Sequence, residues 1–243
     1  MKFLYEWLEQ VLKEQYQFVT CLRNTDKNEI VVLEHKTLHK RIIKRIFSGN
    51  SEVYRQLLTL KHKNMPEILE VAEFEDKTLV LEEYIDGMTL HELLGNGDNF
   101  NDLKENQVSE MVGELCDILS FVHSFNIIHR DIKPENIIIE KDTQTLKLID
   151  FDSSRDYKKY YPRDTIYLGT PGYAAPEQYG DTSTDFRADI YSVGVMMNVM
   201  LTGKFPQVQL HHGKLQNIIE KCIQVSPDKR FQTAEELKRS LKL

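Results

Sequence analysis

The chain opens on a helical stripe. Phe3, Leu4, Trp7, Leu8, Val11 and Leu12 recur at three- and four-residue spacing, while Lys2, Glu6, Glu9 and Lys13 fall elsewhere. The pattern predicts an amphipathic helix over 1–14 that packs on the segment after it or docks a partner. A membrane-surface helix is disfavoured because the polar face is not basic. Three β-like runs follow, over 18–22, 29–33 and 41–46, and the Asn and Asp residues of 24–28 suit a hairpin turn between the first two. A helix-like run covers 51–60, two more strands cover 68–73 and 78–84, and Gly87 marks a break.

Beyond Gly87 the period lengthens. Over 106–124, Val108, Met111, Val112, Leu115, Ile118, Leu119 and Val122 line one side of a long helix. Short strands read over 136–139 and 146–149, a polar stretch over 153–164, and helices to the end. A β-rich segment, 15–86, thus precedes a helix-rich one, 87–243, which is an α+β pattern with no internal repeat and no low-complexity tract.

Composition narrows the classes. With 243 residues, 41% of them hydrophobic, the chain can build one large domain or two small lobes around a cleft. The net charge of -7 and the lack of a long basic run argue against nucleic-acid binding. Cys21, Cys116 and Cys222 lie far apart, with no C-x-x-C, so they read as reduced thiols of a cytoplasmic protein rather than as a zinc or disulfide set. No apolar run approaches the roughly 18 residues that a membrane span needs, and Glu6 and Glu9 interrupt the first apolar stretch, which excludes a signal peptide. His211-His212 reads as a solvated pair, since nothing nearby completes a coordination shell.

Candidate chemistry gathers in one region. Ile128-His129-Arg130-Asp131-Ile132-Lys133-Pro134-Glu135-Asn136 falls in a loop between the long helix and a strand. Asp150-Phe151-Asp152 follows an apolar strand. Then come Gly169-Thr170-Pro171-Gly172-Tyr173-Ala174-Ala175-Pro176-Glu177, Asp189-Ile190-Tyr191-Ser192-Val193-Gly194, and Arg230 near the end. In order and spacing these resemble the H-R-D, D-F-G, A-P-E and D-x-Y-S-x-G motifs of eukaryotic-type serine/threonine protein kinases, in the compact form of the bacterial members. The resemblance runs from about Tyr16 to the C-terminus. Its motifs are highly specific in 87–243 and loose before that.

The resemblance implies a bilobal protein-kinase-like fold, with a small antiparallel β-sheet lobe and hinge (15–86) and a larger helical lobe (87–243). Mg-ATP lies in the cleft between them, and the γ-phosphate passes to a serine or threonine hydroxyl of a protein substrate, with autophosphorylation as an option. Asp131 accepts the hydroxyl proton, and Lys133 lies against the γ-phosphate. Asn136 and Asp150 supply the oxygen ligands that Mg²⁺ prefers. Lys44 matches the lysine that grips the α- and β-phosphates, Ile30 aligns with the pattern around the phosphate-covering loop as a nucleotide-binding position, and Glu83 and Ile85 match the hinge residues whose backbone pairs with adenine. Lys133-Pro134-Glu135 and Gly169-Thr170-Pro171-Gly172 are of the serine/threonine type. Asp189 is implied to hold the catalytic loop, and Glu177 with Arg230 to form a buried ion pair. Arg130 implies control by loop phosphorylation, with Thr165 first and Ser153 and Ser154 next as acceptors.

Several positions depart from the pattern. Arg23, Thr25 and Asn28 stand where the phosphate-covering loop has glycine, and 1–48 contain no glycine. The helix after the third strand is short, and Glu52 is its only carboxylate. Glu82 stands at the gatekeeper position, where a buried carboxylate needs a partner, and Lys44 is the expected one. Asp152 replaces a glycine and is expected to tolerate a left-handed backbone. The stretch after Phe205-Pro206 is brief, which alters substrate docking. These departures raise an alternative, a pseudokinase that binds nucleotide or partners as a scaffold. A small-molecule kinase is disfavoured by the intact Ala175-Pro176-Glu177.

Overall fold

The computed structural model describes residues 2–26, 28–48, 51–95, 100–157, 169–179 and 184–241. It divides into two compact units, Met1–Asp86 and Gly87–Leu243.

The first unit is a five-stranded antiparallel sheet with two helices. Its strands are β1 (Tyr16–Asn24), β2 (Asn28–His35), β3 (Arg41–Ser48), β4 (Ile68–Phe74) and β5 (Lys77–Glu83), in the order β1-β2-β3-β5-β4. The hairpin turn after β1 is closed by hydrogen bonds between Thr25 and Asn28, including Thr25 N–H to the Asn28 carbonyl at 2.9 Å. Helix α1 (Lys2–Gln15) lies on one face of the sheet. Leu8 and Leu12 are buried there with Val31, Leu33, Ile42, Ala72, Leu79 and Leu81, and Leu4 and Tyr5 pack against them. Only part of the expected stripe is used, because the buried side of the helix turns toward Tyr5 and Glu9. Trp7 is 51% exposed and Phe3 82%. The end of α1 is fixed by Lys36, whose ammonium donates to the carbonyls of Lys13 (3.0 Å) and Glu14 (2.6 Å). The opposite face of the sheet buries Ile30, Val32 and Ile43 with Tyr84 against them. The short α2 (Glu52–Leu57) buries Val53, Tyr54 and Leu57, with Phe47 against the Tyr54 ring at 5.5 Å.

The second unit is built on helices. It begins with β6 (Gly87–Thr89) and α3 (Leu90–Leu94), which starts at a capping box between Thr89 and Glu92. Helix α4 (Glu105–Ser124) buries its expected apolar side from Val108 to Val122, with Met111 only half-buried. Strand β7 (Ile127–Ile128) pairs with β10 (Arg155–Asp156), and β8 (Ile137–Glu140) lies between β6 and β9 (Leu146–Leu148). Helix α5 (Arg187–Thr202) is buried almost all round, as a central helix must be. It meets α6 (Gln216–Cys222) at Gly194, where an added Cβ would come within 2.3 Å of the Cys222 Cβ, so that crossing requires glycine. Helix α7 (Ala234–Ser240) packs on α4, and Ser109 of α4 donates to the Leu241 carbonyl at 2.6 Å. No helix among the described residues is long and apolar enough to cross a membrane.

Trp7 is the only tryptophan and reports on α1 directly. Leu8→Ala is expected to lower stability by about 2–4 kcal/mol, since it empties a filled site. Phe3→Ala should leave stability within about 0.5 kcal/mol. Denaturant unfolding followed by Trp7 fluorescence checks both.

Candidate active site

In the second unit, the loop from His129 to Asn136 owes its shape to Asp189, which is 0% exposed in the first turn of α5. Its carboxylate accepts the amide of His129 at 3.0 Å and the amide of Arg130 at 2.7 Å. His123, in the last turn of α4, approaches it at 2.8 Å. Burial by itself would push the Asp189 carboxyl up. The His123 hydrogen bond, the nearby imidazoles of His123 and His129, and the Arg130 amide outweigh it, and the net shift is downward from 3.8. The bonds also hold Arg130 in a left-handed conformation, φ 70°.

This turn presents Asp131 to a group of polar side chains. Asp131 Oδ1 accepts the Thr170 amide at 3.1 Å and the Thr170 hydroxyl at 2.7 Å. The Lys133 ammonium reaches Asp131 Oδ2 at 2.8 Å and Thr170 Oγ1 at 2.6 Å. The Asn136 amide donates to the Asp131 carbonyl at 2.8 Å and to Oδ2 at 3.1 Å. Thr170 is placed by Gly169 (φ 113°), where a Cβ would come within 2.7 Å of Ala174 and 2.9 Å of Gln178. Gln178 in turn donates to the Arg130 carbonyl at 2.8 Å.

Asn136 and Asp150 are brought side by side by the β8–β9 hairpin, because the Ile149 amide donates to the Asn136 carbonyl at 2.9 Å. Asp150 itself takes the left-handed backbone, φ 67°, a conformation that Asp152 does not adopt. Phe151 is buried and packs edge-on against His129, with centroids 4.8 Å apart. A bidentate ion pair closes the segment: Arg230 Nη1 and Nη2 meet Glu177 at 2.6 and 2.8 Å. A cavity of about 450 Å³ adjoins Thr170, lined by Pro134, Glu135, Pro171, Tyr173 and Phe205 among others. Thr165 lies outside the described residues. Ser154 donates to the His129 carbonyl at 3.2 Å.

In the first unit, the register separates residues that the sequence reading grouped. Val31 lies opposite Lys44, and Ile30 opposite Arg45. Directly opposed residues of an antiparallel pair share a face and neighbours alternate, so Ile30 and Lys44 point to opposite sides of the sheet. Lys44 meets Glu9 of α1 at 2.6 Å. The expected Lys44–Glu82 pair is therefore corrected: Glu82 accepts from Arg45 at 3.1 Å, both side chains buried. Glu83 is the last residue of β5, its amide donating to the Glu67 carbonyl at 2.9 Å, and Ile85 is buried just after it. Arg45 was missed because two adjacent basic residues on a strand always face opposite ways, and only the register says which is inward. His123, also missed, carried just the weak signal of a histidine in a helix's last turn. His211 is not solvated as expected. It bonds Glu105 at 2.8 Å and, with the Leu215 amide, holds that carboxyl below its usual range.

Comparison with known proteins matches the protein kinase domain model over residues 15–242. The chain belongs to the protein kinase domain family. It is 29% identical to the serine/threonine-protein kinase PknA of Nostoc sp., over 97% of this chain and 48% of that protein. It is 28% identical to the serine/threonine-protein kinase PknB of Mycolicibacterium smegmatis, over 96% of this chain and 43% of that protein. The chain thus spans less than half the length of either relative. The fold is shared with the Cydia pomonella granulovirus kinase PK-1 (TM-score 0.79, 20% identity, 96% of this chain and 97% of that one). It is also shared with the Mycobacterium tuberculosis PknI kinase domain (TM-score 0.70, 18% identity, 93% and 95%). The fold class is therefore the α+β, bilobal protein-kinase fold.

Asp189→Ala strands two buried amides and should destabilise the second unit by about 3–5 kcal/mol. Because the folded carboxyl titrates below 3.8, its contribution is complete above the unfolded value and is lost as pH falls through the lower folded value. The stability gap between wild type and Asp189→Asn should hold down to about pH 4 and narrow below it, as read by acid unfolding followed by circular dichroism.

Proposed function

We propose that this chain transfers the γ-phosphate of Mg-ATP to serine or threonine hydroxyls of a protein substrate. The observation that carries the reading is the network at Asp131: a carboxylate accepting a hydroxyl at 2.7 Å, with an ammonium 2.8 Å from the carboxylate and 2.6 Å from the hydroxyl. A phosphoacceptor hydroxyl needs the same surroundings, a base to take its proton and a cation beside the reacting oxygens. In this reading Asp131 takes the proton and Lys133 offsets charge on the transferred group. Thr170 keeps both side chains in place.

Asn136 and Asp150 are the residues that would hold Mg²⁺. Both offer hard oxygen donors, and no group of three or more His, Cys, Asp or Glu side chains suited to a metal occurs among the described residues. The set fits an ion that takes one or two protein oxygens and completes its shell with phosphate oxygens and water. Such an ion offsets the negative charge of the phosphates. Ile30 and the Glu83–Ile85 backbone take the nucleotide base. The cavity beside Thr170 takes substrate residues flanking the acceptor, with Phe205 and Glu135 on its wall. Autophosphorylation at Thr165, Ser153 or Ser154 belongs to the same reading. The exposed Phe3 and Trp7 of α1 offer a surface to a partner.

Asp131→Ala is expected to lower kcat about 10²–10⁴-fold, the usual contribution of a positioned base, with little change in ATP affinity. Transfer of labelled phosphate from Mg-ATP to a basic protein substrate reads this. Transfer at the wild-type rate by the variant would contradict the assignment. Nucleotide binding by wild type without any transfer would favour the scaffold alternative.

A further inference from the structure

Helix α1 covers one face of the first unit's sheet and leaves an aromatic row of its own uncovered. Its period puts Tyr5 and Glu9 on one flank of the buried Leu8 and Leu12, where Tyr5 lies 5.8 Å from the Phe74 ring and Glu9 meets Lys44. Phe3, Trp7 and Val11 follow one another at four-residue spacing on the other flank. Phe3 and Trp7 are exposed there, and Val11 is half-buried. On β1, Phe18 stands opposite Leu33, hence on the α1 face, and is 64% exposed. Together these side chains offer on the order of a few hundred Å² of apolar surface, the scale at which a patch marks an interaction site. Charge is segregated along the same helix. Its C-terminal end adjoins the β2–β3 turn, where the Lys36 amide donates to the Gln15 carbonyl at 2.9 Å. At that end Lys13, Lys36, Lys40 and Arg41 outnumber Glu14 and Glu34. Its N-terminal end adjoins the β4–β5 turn, where the Lys2 ammonium lies 5.3 Å from the Phe74 ring. There Glu73 is met by Arg55 at 2.6 Å, and Glu6, Glu75 and Asp76 outnumber Lys2 and Lys77.

We propose that this face is the contact with a second copy of the chain, α1 packing antiparallel on its counterpart about a two-fold axis at Trp7. The row is symmetric about Trp7, with Phe3 and Val11 at equal spacing on either side. A two-fold axis there sets Trp7 against Trp7 of the other copy, and Phe3 against its Val11, as a self-complementary patch requires. The same axis lays the basic end of each helix beside the acidic end of the other, whereas parallel pairing would bring like charges together. Strand β1 is an edge of the sheet, but bulges between Phe18 and Thr20 and between Cys21 and Arg23 interrupt its ladder. Those bulges oppose the joining of two sheets edge to edge, so the contact is made by side chains, and Phe18 extends it. The apolar centre alone falls short of the about 800 Å² per partner of a standard interface, so the dimer exchanges with monomer. The proposal names the partner for the exposed side of α1 and is independent of the phosphotransfer reading.

Sedimentation equilibrium of the full chain tests this. Wild type should show a reversible monomer–dimer equilibrium. Trp7, the only tryptophan, should emit at shorter wavelength as concentration rises, because it enters the contact. Trp7→Gln should raise the dissociation constant about tenfold or more, the effect of losing a central aromatic anchor, with thermal unfolding by circular dichroism certifying the fold. Charge variants keep Trp7 and serve if that variant does not fold. Lys13→Glu with Lys40→Glu makes both ends of the face acidic, and Glu75→Lys with Asp76→Lys makes both ends basic. Each double variant alone should dimerise more weakly than wild type, and an equimolar mixture of the two should recover the dimer and the Trp7 emission shift. A chain that stays monomeric at its highest soluble concentration would overturn the proposal and leave the face to a partner of different sequence. A dimer as tight in Trp7→Gln as in wild type would also overturn it, as would a mixture of the charge variants that associates no better than either alone.

Discussion

The two hydrogen bonds that Asp189 accepts from the amides of His129 and Arg130 impose the constraint on which the loop from His129 to Asn136 depends. They lie at 3.0 and 2.7 Å inside a site fully withdrawn from water. A buried carboxylate is costly unless its charge is met, and here it is met by two amides and by His123. The geometry leaves Arg130 in a left-handed conformation that a free chain would seldom adopt. The turn that results aims Asp131 at Lys133, Thr170 and Asn136. Because Asp189 belongs to α5, the most buried helix of the unit, the position of the loop is inherited from the core.

A second fixed point acts from the other side. Arg230, buried after Pro227–Lys229, holds Glu177 with both nitrogens, and Gln178 beside Glu177 bonds the Arg130 carbonyl. The segment carrying Gly169 and Thr170 is thereby tied to the same loop that Asp189 shapes. Thr170 can then present both its amide and its hydroxyl to Asp131. Precise placement, more than any exotic group, is what the proposed phosphoryl transfer would ask of this loop. The buried ion pairs serve that placement.

The placement of the candidate residues of the second unit was largely legible because they are close in sequence and bounded by elements with strong periodicity. Asp131, Lys133 and Asn136 fall within one short loop after α4, and the β8–β9 hairpin brings Asp150 to Asn136 without any long-range uncertainty. The strands of the first unit were also legible as alternating runs. What alternation does not supply is register. Lys44 and Arg45 differ by one position, and one position reverses the face, so the partners of Lys44 and Glu82 could be found only from the paired strands. The stripe of α1 was broader than the face it buries, and the helix turns Tyr5 and Glu9 inward where Phe3 and Trp7 read as equally good. The left-handed residue of the Asp150-Phe151-Asp152 segment is its first and not its last, because backbone torsions answer to neighbours such as Phe151 against His129. His211 found Glu105 across more than a hundred residues of sequence, a contact that no local pattern encodes.

Hydroxyl phosphorylation at the Asp131 site is the central claim, and the chemical identity of the product tests it most directly. The chain would be incubated with Mg²⁺ and γ-labelled ATP beside a generic protein substrate, and the labelled protein hydrolysed to its phosphoamino acids. The account predicts phosphoserine and phosphothreonine, without phosphotyrosine. Label recovered only in small molecules, or only as free phosphate, would contradict it.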